Sequence, residues 1–276
     1  MNKIGIMQGR LSPPVGGRIQ AFPWDAWEKE FKGAAAIGFD EIEFIFEAQD
    51  CEGNPLFTTE GLDKIKGVSD ETGIQVNYVC ADYFMERPFF RVSESDRNQS
   101  TETLKYLIKQ CAKIGIKGIE IPLVDNSKIE TEEEVELLTE CLKECLAVAE
   151  TYNIRLVLET SLNPLDFKAL LQRINHPLLG ANYDTGNSAS LGYGPEEEVL
   201  KLGKWIDNVH IKDRLLGGGT VPLGEGDTDF DLVFKTLGRI SYKGSFILQA
   251  ARGENELEVA GRYLAFVKHY VQKYLG

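Results

Sequence analysis

The residues best suited to chemistry lie in the second half of the chain: Glu159, Asp184, His210 and Gln249. Each sits at or near the end of a short apolar run, and their successive spacings are 25, 26 and 39 residues. Two carboxylates, an imidazole and an amide oxygen make a shell for one divalent cation. Oxygen-rich sets suit Mg²⁺ or Mn²⁺, and a histidine also admits Zn²⁺ or Co²⁺. Removing a proton beside a carbonyl builds negative charge on oxygen, which a bound cation stabilises. Glu159 is the candidate base. Arg10, Lys212, Arg214 and Arg252 also fall at run ends, where they are placed to bind a hydroxyl, carboxylate or phosphate of a substrate. Glu120 and Glu225 are further candidate substrate contacts.

The elements that must position these groups follow a simple order. Strands are read at 3–7, 40–45, 74–80, 118–123, 154–158, 179–183, 206–211 and 244–248. Helices are read at 24–37, 59–72, 94–114, 131–151, 164–174, 195–203, 229–239 and 254–273. In the first helix Trp24, Trp27, Phe31 and Ala35 recur at helical spacing. Thr131 stands three residues before Glu134, a capping-box arrangement. Strict alternation means parallel strands joined by helical crossovers. Eight such units average about 34 residues, within the range of a (β/α)8 barrel, so the expected fold is one α/β barrel domain over 1–276. A doubly wound nucleotide-binding sheet would show GxGxxG after its first strand. MQGRLSPP stands there instead, and no nucleotide cofactor is expected. In a barrel the strand ends converge on one patch, and the first two spacings each match one compact strand–helix unit. The third is lengthened by the glycine-rich stretch 212–228.

Five segments carry a resemblance: VLET (157–160), YDTGN (183–187), VHIKD (209–213), PLGEGDTDF (222–230) and YKGSFILQ (242–249). In this order they resemble the xylose-isomerase-like TIM barrels, a superfamily of sugar isomerases and sugar-phosphate isomerase/epimerases. The resemblance covers nearly the whole chain. It implies one divalent ion held by Glu, Asp, His and Glu from strands five to eight, and the first three map onto Glu159, Asp184 and His210. It also implies that the two ligand glutamates form the acid/base pair, moving a proton through an enediolate. Here Gln249 stands in place of the second glutamate. A glutamine can lend an oxygen to a metal but cannot accept a proton at neutral pH. Glu43, Glu120, Asp213 and Glu225 are then candidates for a second carboxylate. The expected function is a metal-assisted isomerase or epimerase of a small sugar, sugar phosphate or polyol derivative. Alternatives are a keto-polyol dehydratase using the same site and a non-catalytic sugar-binding barrel.

Composition narrows the partners. Asp and Glu number 43 against 30 Lys and Arg, a net charge of −13. Such a surface repels phosphate backbones and anionic lipid, so neither nucleic acid nor membrane is expected. Three histidines are too few for the multi-zinc repair endonucleases of the same superfamily. The five cysteines are odd in number with no CxxC pair, which fits a reducing compartment, and the cytoplasm is expected. A homodimer is the base expectation for a barrel enzyme. The GGG run (217–219) and GEGD (224–227) suggest either a phosphate cradle or a tight loop. Phe22, Tyr83, Phe84 and Phe89 are read as an apolar wall for a sugar ring. The acidic runs Glu132–Glu134 and Glu196–Glu198 are read as solvated helix starts.

Overall fold

The apolar runs marked as strands are buried almost throughout, as expected of parallel strands covered on both faces. The computed structural model describes residues 2–276. Its strands are β1 (Ile4–Met7), β2 (Glu41–Ile45), β3 (Tyr78–Cys80), β4 (Gly118–Leu123), β5 (Arg155–Thr160), β6 (Leu179–Asp184), β7 (Ile206–Ile211), β8 (Asp213–Arg214), β9 (Thr220–Val221) and β10 (Ser245–Leu248). The helices are α1 (Trp27–Ile37), α2 (Thr59–Thr72), α3 (Tyr83–Glu86), α4 (Glu94–Lys113), α5 (Glu132–Tyr152), α6 (Pro164–Ile174), α7 (Thr185–Leu191), α8 (Pro195–Leu202), α9 (Phe230–Arg239) and α10 (Glu256–Tyr274). Eight strands close a barrel in the order β1-β10-β7-β6-β5-β4-β3-β2, while β8 and β9 form a separate antiparallel ribbon.

Contacts group the chain into two units. The first takes in the chain up to Glu43, Ser69–Gln75 and Ala181–Gly276. Within it β1 pairs with β10 and with the start of β2, β10 pairs with β7, and β7 pairs with β6. The second comprises Phe44–Val68 and Val76–Gly180, where the end of β2 pairs with β3, β3 with β4, and β4 with β5.

The expected alternation of strands and helices is present, with local differences that have physical causes. The first helix starts at Trp27 because the preceding residues make turns onto the Pro23 carbonyl. It stops at Gly38, whose φ of 96° suits a residue without a Cβ. The third strand is shortened to Tyr78–Cys80, with one isolated bridge from Gln75 to Glu41 before it. The Thr131 capping box is present in full. Two acidic residues expected in solvent are buried instead. Glu134 accepts from the Glu130 and Thr131 amides, and Glu198 accepts from Ser188 Oγ at 2.8 Å. Phe22, Tyr83, Phe84 and Phe89 are likewise buried, and Phe84 stacks on Phe89 with ring centroids 4.9 Å apart. They are part of the buried core. No cysteine is in a disulfide, and burial pushes the Cys111 and Cys145 thiols up. Among the described residues no helix is long and apolar enough to cross a membrane.

Candidate metal centre

Strands β6 and β7 pair so that Asn182 lies opposite Asn208 and Asp184 opposite His210. Alternate residues of a strand share a face, so the two asparagines sit one step behind the acid and the imidazole. His210 is fully buried, with Nε2 2.9 Å from Glu43 Oε2. Asn208 Nδ2 donates to both Glu43 oxygens at 3.4 Å, and Asn182 Nδ2 donates to Asn208 Oδ1 at 3.0 Å. The amide ladder fixes Glu43, and Glu43 fixes the ring. A carboxylate at Nε2 holds the proton there and makes Nδ1 the nitrogen that would face a cation.

Asp184 has two roles. Its Oδ1 accepts from Asn187 N at 2.7 Å and caps α7. Its Oδ2 is buried without a hydrogen bond, and the ion pair to Lys212 Nζ is long, at 3.6 Å. A buried anionic oxygen left in that state is suited to a cation. Glu159, Asp184 and His210 each offer a ligand atom within 4.8 Å of the others, and all three are buried. A second grouping, Glu43, Glu120 and His210, meets the same spacing. The donor set therefore fits a divalent cation.

At the fourth position both ends of the Gln249 amide are engaged. Lys212 Nζ donates to its Oε1 at 3.2 Å, and its Nε2 donates to Gln20 Oε1 at 3.0 Å. The other rim cations close on the protein. Arg10 donates to the Ala250 and Ile19 carbonyls and to Gln20 Oε1. Arg252 donates to the carbonyls of Gly9, Ser12 and Ile19. Arg214 donates to Gly218 O and, at 2.8 Å, to Asn187 Oδ1. The loop that Arg10 and Arg252 brace is anchored by Glu30, which accepts from Gly9 N, Leu11 N and Ser12 Oγ. Burial pushes the Glu30 carboxyl up, against the opposing pull of those bonds. Glu225 is exposed in a turn, and Glu120 is buried in β4. Asn182, Asn208 and Gln20 escaped the sequence reading. The asparagines were detectable, because each stands two residues before a named site residue.

Comparison with known proteins agrees with this architecture. The model of the family described as "Xylose isomerase-like TIM barrel" matches residues 31–269. The chain belongs to that family. A putative L-ribulose-5-phosphate 3-epimerase, UlaE, of Shigella dysenteriae serotype 1 is 26% identical over 245 residues, 86% of each chain. A putative L-ribulose-5-phosphate 3-epimerase, SgbU, of Haemophilus influenzae is 24% identical over 271 residues, 92% of this chain and 91% of that one. Among solved structures, L-ribulose 3-epimerase superposes with a TM-score of 0.79 at 15% identity, covering 99% of this chain and 96% of the other. A xylose isomerase-like barrel protein of Mycobacterium smegmatis in complex with magnesium gives 0.72 at 18% identity, covering 100% and 98%. The dehydratase reading finds no support among these relatives.

Proposed function

We propose that this chain is an isomerase or epimerase of a small sugar, sugar phosphate or polyol derivative, moving a proton at a carbon beside a carbonyl. The observation that carries the reading is the grouping of Glu159, Asp184 and His210 within 4.8 Å, in a chain similar to named sugar epimerases. These three would hold one divalent cation (Mg²⁺, Mn²⁺, Zn²⁺ or Co²⁺), with the Gln249 amide oxygen as a fourth donor. When bound, the ion would supply Lewis-acid stabilisation of negative charge on the substrate carbonyl oxygen. Glu159 removes the proton; isomerisation then requires its return at the neighbouring carbon, and epimerisation requires a second acid that delivers a proton to the opposite face of the same carbon. Glu43 keeps the His210 ring in one orientation, and Lys212 keeps the Gln249 oxygen in place. An amide at 249 carries no proton at neutral pH. Of the four candidate second carboxylates, Asp213 is committed to backbone amides and Glu225 is exposed. Glu43 and Glu120 are the two grouped with His210.

Metal analysis, with solvent deuterium uptake at carbon across a series of ketoses and ketose phosphates, tests the reading. The wild type should bind a divalent ion and exchange, and Glu159→Gln should lose about 10²–10⁴ of the rate. A wild type that binds no divalent ion, with a variant that keeps full activity, would overturn it. Uptake without release of water sets the dehydratase aside.

A further inference from the structure

We infer that Gln20, held by Arg10, is the positioning residue of the fourth donor: it draws the Gln249 amide nitrogen to itself, turns the amide oxygen toward Lys212, and so makes this chain require an amide, not a carboxylate, at 249. The donor role of that oxygen rests on the metal-assisted reading above.

The two ends of a glutamine amide are nearly the same size, so packing does not decide which end is oxygen. Neighbours that can only donate decide it. Lys212 is such a neighbour, and its Nζ stands 3.2 Å from Gln249 Oε1. The other end of the amide donates from Nε2 to Gln20 Oε1 at 3.0 Å. Gln20 is itself an amide with two possible orientations. Arg10 chooses between them, because its Nη2 donates to Gln20 Oε1 at 3.3 Å and a guanidinium has no acceptor to offer. Two amides are therefore aligned between two obligate donors, Arg10 at one end and Lys212 at the other.

The backbone along this row of bonds is pinned. Ile19 O, next to Gln20, accepts from Arg10 Nη1 and from Arg252 Nε. A Cβ on Gly9 would come 2.8 Å from Ala21 O, so the far end of the loop after β1 lies against its own start. Gln249 N donates to Ile211 O at 3.1 Å, and Ala250 O accepts from Arg10 Nε at 3.2 Å. The Lys212 stem lies on Gly186, where a Cβ would come 2.8 Å from Lys212 Cγ. Arg10 and Gln249 are both buried, so a mismatched group there has little water to turn to.

A carboxylate at 249 would bring an acceptor against Gln20 Oε1. Gln20 could answer by turning over, but its amine would then face the Arg10 guanidinium. Either arrangement sets like groups against each other and leaves a buried hydrogen bond unmade. An amide avoids both and leaves its oxygen on the Lys212 side as a neutral donor.

The test has two parts, both on the full chain. In the first, Mn²⁺ is titrated calorimetrically into Gln20→Met and Gln20→Glu. Methionine keeps the length and loses the amide acceptor, and affinity should fall about tenfold. Glutamate keeps an oxygen for both Arg10 and Gln249, and affinity should stay within about threefold of the wild type or rise. A residue that only braced the loop would lower the melting temperature of its variants and leave their affinity alone. Unchanged affinity in Gln20→Met, or an equal loss in both variants, overturns the inference. The second part needs no metal: a double-mutant cycle of Gln249→Glu with Gln20→Met, followed by urea unfolding. Gln249→Glu should lower the folding equilibrium constant at least about fivefold more in the wild-type background than in the Gln20→Met background. No coupling, or coupling of the opposite sign, would mean that Gln20 turns over freely, and overturns the inference. If the wild type binds no Mn²⁺, the metal reading falls and the donor role with it, while the cycle still decides whether Gln20 selects the amide. If Gln249→Glu folds in neither background, the Mn²⁺ titrations decide.

Discussion

Asp184 and Asp213 stand at the ends of neighbouring segments, and their oxygens meet different surroundings. Asp213 accepts three backbone N–H groups and is closed upon the protein. Glu30, below the loop after β1, is closed in the same way by two amides and a hydroxyl. Asp184 spends one oxygen on the α7 cap and leaves the other buried without a hydrogen bond. A count of strand-end carboxylates cannot separate these cases. What separates them is whether the chain itself supplies the donors, because a buried carboxylate already saturated with donors has little left to offer a ligand.

The largest effect that would test this contrast is on folding. Asp213→Ala strands three amide donors, each at a cost of about 1–3 kcal/mol. Urea unfolding should show a loss of several kcal/mol, roughly 3–6 after partial rehydration of the loop. A loss below about 1 kcal/mol would mean that the loop does not need its carboxylate. Asp184→Asn should do the reverse. Its side-chain oxygen can still cap α7, so stability changes little, while divalent-ion affinity falls about a hundredfold with the lost charge. A variant that instead lost stability and kept its metal would erase the distinction between the two residues.

Glu43→Gln sharpens the contrast from the second layer. The amide can keep a contact to His210 Nε2, but it no longer holds the proton there with a negative charge. Losing such a partner commonly costs 10–100-fold in metal affinity. Isothermal titration with Mn²⁺ should show about that drop with the fold intact. Unchanged affinity would mean that the ring orientation is set by packing alone.

How much of this could be read beforehand follows from the same distinction. Strands and long helices declare themselves through apolar periodicity, and the spacing of Glu159, Asp184 and His210 follows from one residue at each of three successive strand ends. Short elements carry no such period. TGNSASL forms α7 with no apolar stripe, announced only by its cap at Asp184, and β8 and β9 are two residues each. The closure of Asp213 was hidden for another reason. Its partners are backbone amides, which every residue but proline has, so no side-chain type marks them. Asn182 and Asn208 were visible in principle through the strand period of two. Burial of Glu198 within the run Glu196–Glu198 was not, because three consecutive glutamates on a helix start look alike until the helix is docked.

Glu198 is an intermediate case and gives the smallest test. It accepts from Ser188 Oγ at 2.8 Å, and burial is the main cause of a carboxyl pushed up to about 7, with the Asp184 charge adding to it. In the unfolded chain the group titrates near the ordinary glutamate value of about 4.3. Below that pH both states hold the proton and no penalty exists. Between there and pH 7 the unfolded chain ionises while the folded one keeps its proton, so stability falls as pH rises, and above 7 the penalty is constant. The full difference is at most about 4 kcal/mol. Glu198→Gln removes the titration and keeps a neutral acceptor for Ser188. The variant should gain stability over the wild type by about 1–3 kcal/mol at pH 8, and the gain should vanish near pH 4.5. A gain of the same size at both pH values would mean that the carboxylate is already closed by its neighbours, as Asp213 is.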